Sequence, residues 1–447
     1  MKKLYELNPS QEVVKLQCKY TLYKRVINIV TSMTKADELD WETMKEAFNI
    51  VAKRNDCLRI GFVSKRGKLF QYFKNQVSFD NIPCLEFNTE EEQNRFIKKI
   101  TKKAIKYMKG VVVEPYFIKT FDNKSMILLK VCHLVLDLYG INTIYKDLFE
   151  VYDSLKNKTE LPPMPSSFEE VIKKDLIKKH NSLQEENNRL FFENYLNTKP
   201  EPSYAGLHGK NSAVWQKHLK KNKKSIKTFF VQNDTKGYAY KIPHSTMQKV
   251  MEYAKISNTS PANILFFACS LCASLTNDKT KNLLPLELCN CRGSALDKKC
   301  AGTKVQSVAC YIHIDYDKSF EQNITDFSLS QHQLYRHIGY SDQKFEMLVH
   351  KTYNSSIFSS YYSFTYSFIP YSKPQDFEFC IYSNGKCALP AYIAQLYDVN
   401  SGKTVMVYDV QTKIISEKDV QNFHSRYIDL LDCVLSNPKI VLDNIKI

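Results

Sequence analysis

Two side chains suited to proton transfer, those of His133 and Asp137, stand four residues apart between a run of apolar residues and a helical pattern. A histidine titrates near physiological pH, so its neutral ring can relieve an attacking amine or hydroxyl of a proton. Short loops held by two regular elements are where α/β proteins commonly place catalytic groups. The pair therefore predicts general-base chemistry at His133. A second interpretation is open, in which His133 is a satisfied structural histidine at a strand end.

The flanking residues predict the two elements that position this pair. Residues 126–131 form an apolar run interrupted only by Lys130, which predicts a buried strand. After Asp137, apolar residues recur at helical spacing, while Lys146, Asp147, Glu150 and Asp153 fall on the opposite face. The apolar stripe consists of Ile141, Ile144, Tyr145, Leu148, Phe149, Tyr152 and Leu155. We therefore expect a strand, a short loop and a helix.

The spacing of His133 and Asp137 resembles the His-His-x-x-x-Asp-Gly signature of condensation domains of nonribosomal peptide synthetases, within the chloramphenicol acetyltransferase-like superfamily. Further segments resemble this family in the same order and extend the resemblance over nearly the whole chain. They are residues 7–12, 39–42, 54–62, 191–196, 259–265, 290–292 with Gly302, 407–409, 430–432 and 437–438.

The resemblance implies an α/β fold of two chloramphenicol acetyltransferase-like lobes, in a V-shaped pseudo-dimer with a channel between them. Residues 1–165 would form the N-terminal lobe with the motif, and residues 166–447 the C-terminal lobe. Residues 161–167, rich in proline and serine, would connect them. The implied activity is transfer of an acyl group from a carrier-protein or CoA thioester to an amine or alcohol, forming an amide or ester. No permanently bound cofactor is implied, because phosphopantetheine or CoA carries the substrate.

The resemblance also implies a role for each motif residue. His133 would act as the general base and position the nucleophile. Asp137 would turn away and pair with Arg292 of the second lobe, which locks the loop. Cys132 replaces the first histidine of the signature, at a position that is mainly structural. From the sequence alone, Arg292 can equally be a surface arginine.

One departure from the signature bears on catalysis. Leu138 stands where the family has glycine, and Gly140 follows two positions later. Glycine lets the loop turn tightly beside the substrate channel, so we expect Leu138 to reshape or partly fill that channel. Cys132 and Leu138 together favour an alternative function, a non-catalytic condensation-like domain that docks carrier proteins or partner enzymes.

Residues 361–368 alternate aromatic and small polar side chains, which predicts a strand. Ordinary sheet packing accounts for such a pattern. The other interpretation is that Ser363 and Thr365, on the hydroxyl-bearing face, line the channel and hydrogen-bond a substrate.

Other patterns predict the organisation of the C-terminal half. We expect a helix over residues 168–195, a buried helix over 259–275 and a mostly irregular stretch over 200–227. A strand is expected at 228–232 or 238–242. No adenylation or carrier module follows the last family-like segment, so we expect a free-standing enzyme or an excised domain.

The formal net charge of +16 comes mostly from lysine. A solvated lysine-rich surface is one explanation. Nucleic-acid binding is another, although no nucleic-acid module is recognisable and the lysine runs are dispersed along the chain. The resemblance adds a third, because a basic surface would steer a small acidic acyl or peptidyl carrier protein and its phosphopantetheine arm. The expected partners are acidic carrier proteins and a small-molecule amine or alcohol acceptor, with no nucleic acid. We expect a monomer.

Thirteen cysteines, an odd number scattered along the chain, favour reduced thiols over a disulfide framework. Cys269 and Cys272 fall within an apolar helical pattern, and no four-ligand spacing completes a metal site. Neither of the usual glycine-rich phosphate-binding motifs occurs. The N-terminal residues lack the apolar segment of a signal peptide, and the apolar run 262–275 is too short to span a bilayer. A cytoplasmic protein without a metal or a membrane span is expected.

Overall fold

The computed structural model describes residues 3–21, 23–209, 224–227, 234–374 and 376–446, except the side chains of residues 19 and 20. Contacts divide the chain into two units, each built from several segments. The first consists of Met1–Asn181, Asn290–Gln306 and Tyr371–Lys386, and the second of Ser182–Cys289, Ser307–Pro370 and Cys387–Ile447. The sequence predicted one boundary between residues 165 and 166, whereas here the first unit continues to Asn181 and also includes Asn290–Gln306 and Tyr371–Lys386.

The α-helices of the described residues contribute buried side chains to the hydrophobic cores of both units. In chain order they are α1 (Pro9–Thr21), α2 (Trp41–Arg54), α3 (Glu90–Lys102), α4 (Leu138–Asn157), α5 (Phe168–Lys179), α6 (Ser182–Asn197), α7 (His244–Ile256), α8 (Pro261–Thr276), α9 (Ala295–Lys298), α10 (Phe320–Tyr335), α11 (Asp342–Thr352) and α12 (Glu417–Ser436). Short 3-10 helices cover Lys24–Ile27, Asp56–Arg59, Tyr107–Lys109 and Leu442–Asn444.

The strands of the described residues form mixed, open sheets. In chain order they are β1 (Tyr5–Glu6), β2 (Asn28–Lys35), β3 (Ile60–Lys65), β4 (Lys68–Phe73), β5 (Cys84–Glu86), β6 (Val113–Lys119), β7 (Ser125–Cys132), β8 (Ile226–Lys227), β9 (Thr235–Ile242), β10 (Asn282–Leu283), β11 (Leu286–Asn290), β12 (Val305–Ala309), β13 (Ile312–His313), β14 (Ser359–Ser360), β15 (Thr365–Tyr371), β16 (Phe377–Tyr382), β17 (Ala391–Asp398) and β18 (Thr404–Gln411). The first unit has a five-stranded sheet of order β16–β2–β7–β6–β5 and a three-stranded sheet β1–β4–β3. A six-stranded sheet of order β12–β11–β15–β17–β18–β9 and the pairs β10–β13 and β14–β8 lie mainly in the second.

Strand β7 lies at the centre of the five-stranded sheet and is buried along its whole length. Ile127, Leu129 and Val131 belong to one hydrophobic core, and Met126 and Leu128 belong to another on the opposite face. Burial on both faces explains why the strand is a continuous apolar run instead of an alternating one. The strand predicted at residues 126–131 is confirmed.

Strand β16 explains why the first unit is discontinuous. It pairs antiparallel with β2, from Phe377 opposite Lys35 to Tyr382 opposite Val30. Two residues later, the side-chain amide of Asn384 donates to the carbonyls of Val26 and Asn28, at 3.2 and 3.0 Å. Such long-range pairing leaves no local signal in the sequence.

Helix α4 follows β7 after a short loop and begins at Leu138, directly after its N-cap residue Asp137. Ile141, Ile144 and Leu148 of the predicted stripe are buried, and the helix packs against α2. The predicted helix is confirmed, but Asp147, expected on its polar face, is buried and pairs with Arg54 of α2 at 3.1 Å.

Helix α8 lies in the core of the second unit. Every residue from Asn263 to Ser274 is buried, which explains why its sequence is apolar all round. Ser260 caps the helix by accepting a hydrogen bond from the Asn263 N–H at 3.1 Å, and Pro261 follows as its first residue. The buried helix predicted over residues 259–275 is confirmed within two residues at its start.

Two predicted elements differ from the structure. The helix expected over residues 168–195 is split into α5 and α6 at His180 and Asn181. The strand expected over residues 361–368 begins only at Thr365, because residues 361–364 form no strand. In both cases the pattern of side chains predicted the type of element, but it did not locate the interruption of the helix or the start of the strand.

The predictions for residues 200–242 are only partly testable. Residues 200–209 contain no helix or strand, as expected, and Ile226–Lys227 form β8. Residues 210–223 and the candidate strand at 228–232 lie outside the described residues. The alternative strand at 238–242 is confirmed as part of β9.

No single helix within the described ranges is long and apolar enough to cross a membrane. Helices α7 and α8, bent by 116° relative to each other, pass that test as a pair on length and composition alone.

Candidate functional site

Backbone hydrogen bonds fix the loop that joins β7 to α4. The Cys132 N–H donates to the Val112 carbonyl at 2.9 Å, and the His133 N–H donates to the Ile27 carbonyl at 2.8 Å. The Val135 N–H then donates to the Cys132 carbonyl at 2.8 Å, which closes a tight turn. His133 is therefore held at the end of the central strand.

The imidazole of His133 is part-buried and uses one of its two ring nitrogens. Its Nδ1 lies 3.1 Å from the Leu136 carbonyl oxygen, which can only accept, so Nδ1 carries the proton. No residue in the described part of the chain hydrogen-bonds Nε2, which keeps its lone pair. Burial lowers the pKa of His133, although the negative charge of Asp137 opposes the shift. The ring is therefore neutral near pH 7 and can accept a proton at Nε2.

The Asp137 carboxylate accepts four hydrogen bonds. Oδ1 accepts from the Gly140 N–H at 2.7 Å and from an Arg292 nitrogen at 2.9 Å. Oδ2 accepts from the other terminal nitrogen of Arg292 at 2.9 Å and from the Lys304 N–H at 2.8 Å. Burial alone would raise the pKa of Asp137, but the Arg292 guanidinium and the two N–H groups hold it below its usual value. Asp137 therefore stays ionised and orders the loop and the start of α4.

Arg292 is buried, with 5% of its surface exposed, so it is not a surface arginine. Besides Asp137, it donates to the Asn290 side chain at 2.8 Å and to the Gly302 carbonyl. The Tyr139 ring covers the guanidinium, with 4.3 Å between the guanidinium carbon and the ring centroid. The bidentate pair that the resemblance implied is thus present. It lies within the first unit, which includes Asn290–Gln306, although the sequence prediction placed Arg292 in the C-terminal lobe.

A second ion pair ties the Arg292 segment to α5. Nζ of Lys304 lies 2.7 and 2.8 Å from the two carboxylate oxygens of Asp175. The side-chain amide of Asn8 donates to the same carboxylate at 3.3 Å. Because the Lys304 N–H also donates to Asp137, this buried pair helps to fix the segment that holds Asp137.

Two side chains that hold the backbone around His133 were not predicted from the sequence. Thr303 Oγ1 donates to the His133 carbonyl at 2.7 Å, and Gln11 Nε2 donates to the Leu134 carbonyl at 2.8 Å. Both side chains are fully buried. Gln11 lies within the family-like segment 7–12 and Thr303 directly follows Gly302, and this proximity was their only sequence signal.

Two glycines allow the Arg292 segment to lie close to its neighbours, Gly140 to the loop and Gly302 to the start of α5. A Cβ at Gly140 would lie 1.7 Å from the Ala301 carbonyl oxygen, and a Cβ at Gly302 would lie 2.0 Å from the Phe168 ring. Neither distance is sterically possible, so both positions require glycine. Leu138, where the signature has glycine, is the first residue of α4 and packs partly buried against the core of the first unit.

Cys132 contributes a small buried side chain. It is fully buried in the core of the first unit, and burial raises the pKa of its thiol well above the ordinary value. Its side chain is therefore uncharged and packs as a small apolar group.

Ser363 and Thr365 lie in the second unit, and both are buried. Ser363 Oγ accepts a hydrogen bond from the Ala205 N–H at 3.0 Å. Thr365 opens β15, where it faces Leu286 of the parallel strand β11. Both contacts are structural, and a role in substrate binding stays a prediction.

The described residues contain no candidate metal site and no disulfide. Within the described ranges, no group of three or more His, Cys, Asp or Glu side chains could hold a metal ion. The cysteines of those ranges are free thiols.

Comparisons with known proteins match the chain over nearly its whole length. The family model of the condensation domain matches residues 1–447. One plipastatin synthase subunit of Bacillus subtilis (strain 168) is 20% identical over 424 residues, which cover 92% of this chain. Surfactin synthase subunit 1 of the same organism is 19% identical over 464 residues, which cover 99% of this chain. The chain spans only 16% and 12% of the lengths of these two synthetases.

Solved structures show the same fold at low sequence identity. The starter condensation domain of rhizomide synthetase RzmA, solved with C8-CoA, has a TM-score of 0.81 at 13% identity and covers 99% of this chain and 98% of its own. The first condensation domain of the calcium-dependent antibiotic synthetase has a TM-score of 0.80 at 12% identity, covering 99% of both chains. The condensation domain of the Monacolin K polyketide synthase MokA has a TM-score of 0.79 at 10% identity, and the match covers 98% of this chain and 99% of its own.

These likenesses confirm the predicted α/β fold class and its two chloramphenicol acetyltransferase-like lobes. Condensation domains are usually amide-forming acyltransferases that work with thioesters on carrier-protein phosphopantetheine or CoA. A family model that matches the whole chain, together with these folds, establishes that the chain belongs to the condensation-domain family.

Proposed function

We propose that this condensation domain transfers an acyl group from a carrier-protein or CoA thioester to an amine or alcohol, with His133 as the general base. The observation that carries the proposal is the contact of His133 Nδ1 with the Leu136 carbonyl, which leaves Nε2 without a hydrogen-bond partner among the described residues. The lowered pKa of the ring supports a neutral His133 that can accept a proton at Nε2. A thioester carbonyl is already a good electrophile, so no covalent acyl-enzyme is needed.

The reaction then needs one proton acceptor and correct alignment. The acceptor nitrogen attacks the thioester carbonyl carbon and forms a C–N bond, while Nε2 of His133 takes a proton from that nitrogen. The C–S bond breaks, and the departing sulfur takes up the proton as a thiol, so the ring returns to its neutral state. With an alcohol acceptor, a C–O bond forms in the same way and the product is an ester. General-base assistance contributes about 10²–10⁴-fold to such a step.

Asp137 and Arg292 act as positioning residues in this proposal. Their bidentate pair fixes the loop end, and Thr303 and Gln11 donate to the carbonyls of His133 and Leu134. A rigid loop keeps Nε2 in one place, which favours alignment of the two substrates.

The test measures product formation by mass spectrometry. The protein is incubated with octanoyl-CoA or an octanoyl-loaded carrier protein, with leucyl N-acetylcysteamine thioester and a panel of free amines and alcohols as acceptors. We expect a new octanoyl amide or ester from wild type and a turnover at least about 100-fold lower for His133→Ala. His180→Ala, on an exposed histidine of the same unit, is the matched control and should keep wild-type turnover.

Absence of product from every donor and acceptor, with binding of the carrier retained, would favour the alternative of a non-catalytic docking domain. Product formed equally by wild type and His133→Ala would remove His133 as the base. We further propose a cytoplasmic, monomeric protein, to be checked by cell fractionation and light scattering.

A further inference from the structure

A dense group of exposed cations lies along the C-terminal half of α3 and the segment that leads to β6. It consists of Arg95, Lys98, Lys99, Lys102, Lys103, Lys106 and Lys109, and all seven are exposed. We call this group the lysine surface. No aspartate or glutamate occurs between Gln93 and Val113. The lysine runs were expected to be dispersed, but this part of the net charge is concentrated in one segment of the first unit.

Local stability does not account for this arrangement. The helix dipole favours cations near the C-terminus of α3, but Lys106 and Lys109 lie beyond the helix. Lys98 and Lys102, four residues apart on one helix face, repel each other. Within the described residues, none of the seven cations forms an ion pair. The charge is therefore available to an external partner.

Hydrogen bonds hold the lysine surface next to the end of β7. The Asn28 side-chain amide donates to the carbonyls of Thr101 and Lys103, at 3.0 and 2.8 Å, and its oxygen accepts from the Ile105 N–H at 3.1 Å. Asn28 is also the strand partner of Cys132, the residue before His133. The surface and the proposed base are therefore fixed to the same end of the five-stranded sheet.

Two exposed apolar side chains lie among these cations. Met108 is 46% exposed and Val111 is 37% exposed. A protein domain that presents apolar side chains with a rim of carboxylates complements both features, because apolar contacts form the centre of protein interfaces and charges steer association. A nucleic-acid backbone would use the cations but not the apolar pair.

We propose that the lysine surface docks a small acidic protein domain that carries the donor thioester on its phosphopantetheine arm. This inference rests on the proposed function, since it assigns the donor's point of entry beside His133. Docking here brings the carrier to the end of the strand that holds the proposed base.

The experiment measures binding of a fluorescently labelled acidic acyl carrier protein in its holo form, by anisotropy, at about 50 and 300 mM NaCl. The test variant is Lys98→Glu/Lys102→Glu/Lys106→Glu. The control is Lys53→Glu/Lys65→Glu/Lys68→Glu, which makes the same change in net charge at exposed lysines of the same unit. We expect the test variant to weaken binding at least about tenfold and the control less than about twofold. Melting temperatures confirm that both variants are folded.

Equal weakening by both variants would overturn the proposal, because the effect would then follow net charge alone. Absence of carrier binding to wild type, or tighter binding to duplex DNA or to vesicles of anionic phospholipid than to the carrier, would also overturn it. His133→Ala separates this inference from the proposed function. Carrier binding retained by that variant, with no product from wild type, supports docking without catalysis. Product from octanoyl N-acetylcysteamine without carrier binding supports catalysis without this docking surface.

Discussion

His133 and Asp137 lie at the two ends of one short loop, and their side chains differ in how many hydrogen bonds they make. Asp137 accepts four hydrogen bonds, two from Arg292 and one each from the N–H groups of Gly140 and Lys304. His133 makes one ring contact, to the Leu136 carbonyl. All the hydrogen bonds of the Asp137 carboxylate hold the loop in place, whereas the lone pair on His133 Nε2 is free to accept a proton. A motif with two polar residues therefore need not be a catalytic pair.

A buried carboxylate in the second unit shows what Arg292 contributes. Glu287 is 5% exposed and accepts hydrogen bonds from Gln331 at 2.6 Å and Tyr335 at 2.9 Å, both neutral donors. Burial raises the pKa of Glu287 to about 7, because hydrogen bonds from neutral groups offset only part of the desolvation. The pKa of Asp137 is shifted in the opposite direction by a guanidinium. Charge pairing, more than burial, thus decides which carboxylate stays ionised.

The largest expected effect is that of Asp137→Ala, which tests whether Asp137, unlike His133, has a structural role. This change removes the partner of a buried cation, so we expect a loss of about 3–5 kcal/mol in the free energy of unfolding, measured with urea. Asp40→Ala is the matched control, because Asp40 caps α2 but is exposed, and it should cost only about 1 kcal/mol. Equal losses in the two variants would mean that Asp137 is merely a helix cap.

The close approach of the loop to the Arg292 segment is tested by Gly140→Ala. The added Cβ would lie 1.7 Å from the Ala301 carbonyl oxygen, so the segments must separate at a cost of about 1–3 kcal/mol. Gly293→Ala is the control, because no atom lies within 4 Å of a Cβ at that position. The two melting temperatures should differ clearly, and a stable Gly140→Ala protein would contradict the packing described.

The backbone support of His133 is tested by Thr303→Val, which removes the hydroxyl that bonds the His133 carbonyl. We expect a loss of about 1–3 kcal/mol in stability, because a buried carbonyl is left unpaired, together with a lower kcat. Thr143→Val removes a similar hydroxyl within α4 and should leave kcat unchanged. A fall in stability without any change in kcat would show that Thr303 does not position the base.

The smallest expected effect is a shift of the acidic limb of the kcat/KM pH profile to lower pH. Burial lowers the pKa of His133, so the acidic limb of kcat/KM should have its midpoint below the ordinary value of about 6.5. The same shift makes the unfolded state bind more protons, so this residue contributes stability that falls as pH drops below about 6.5. An acidic limb centred above that value would contradict the burial argument.

Much of the site could be predicted because its signals are local. The apolar run before Cys132 and the stripe after Asp137 located β7 and α4, and the family resemblance supplied Arg292. Thr303, Lys304 and Gln11 were missed because they meet the loop only through the tertiary fold. The sequence gives no local sign that the Thr303 and Gln11 side chains bond the backbone around His133, or that the Lys304 N–H bonds Asp137.

Long-range pairing explains the other differences. Residues 371–386 join the first unit because β16 pairs with β2, which no local pattern records. The alternation over residues 361–368 predicted a strand from its first residue, but Ser363 bonds the Ala205 backbone ahead of the strand. In the long helix, Asn181 before Ser182 was a usable sign of a break, since asparagine and serine favour helix starts over helix interiors.

The central claim is that the fold holds the His133 ring neutral, with its proton on Nδ1 and its lone pair on Nε2. Nitrogen-15 NMR of the histidine rings between about pH 5 and pH 8 tests it directly. His133→Ala assigns the His133 signals among those of ten histidines. We predict a neutral ring at pH 7 with the proton on Nδ1. An imidazolium at that pH, or a proton on Nε2, would contradict the claim.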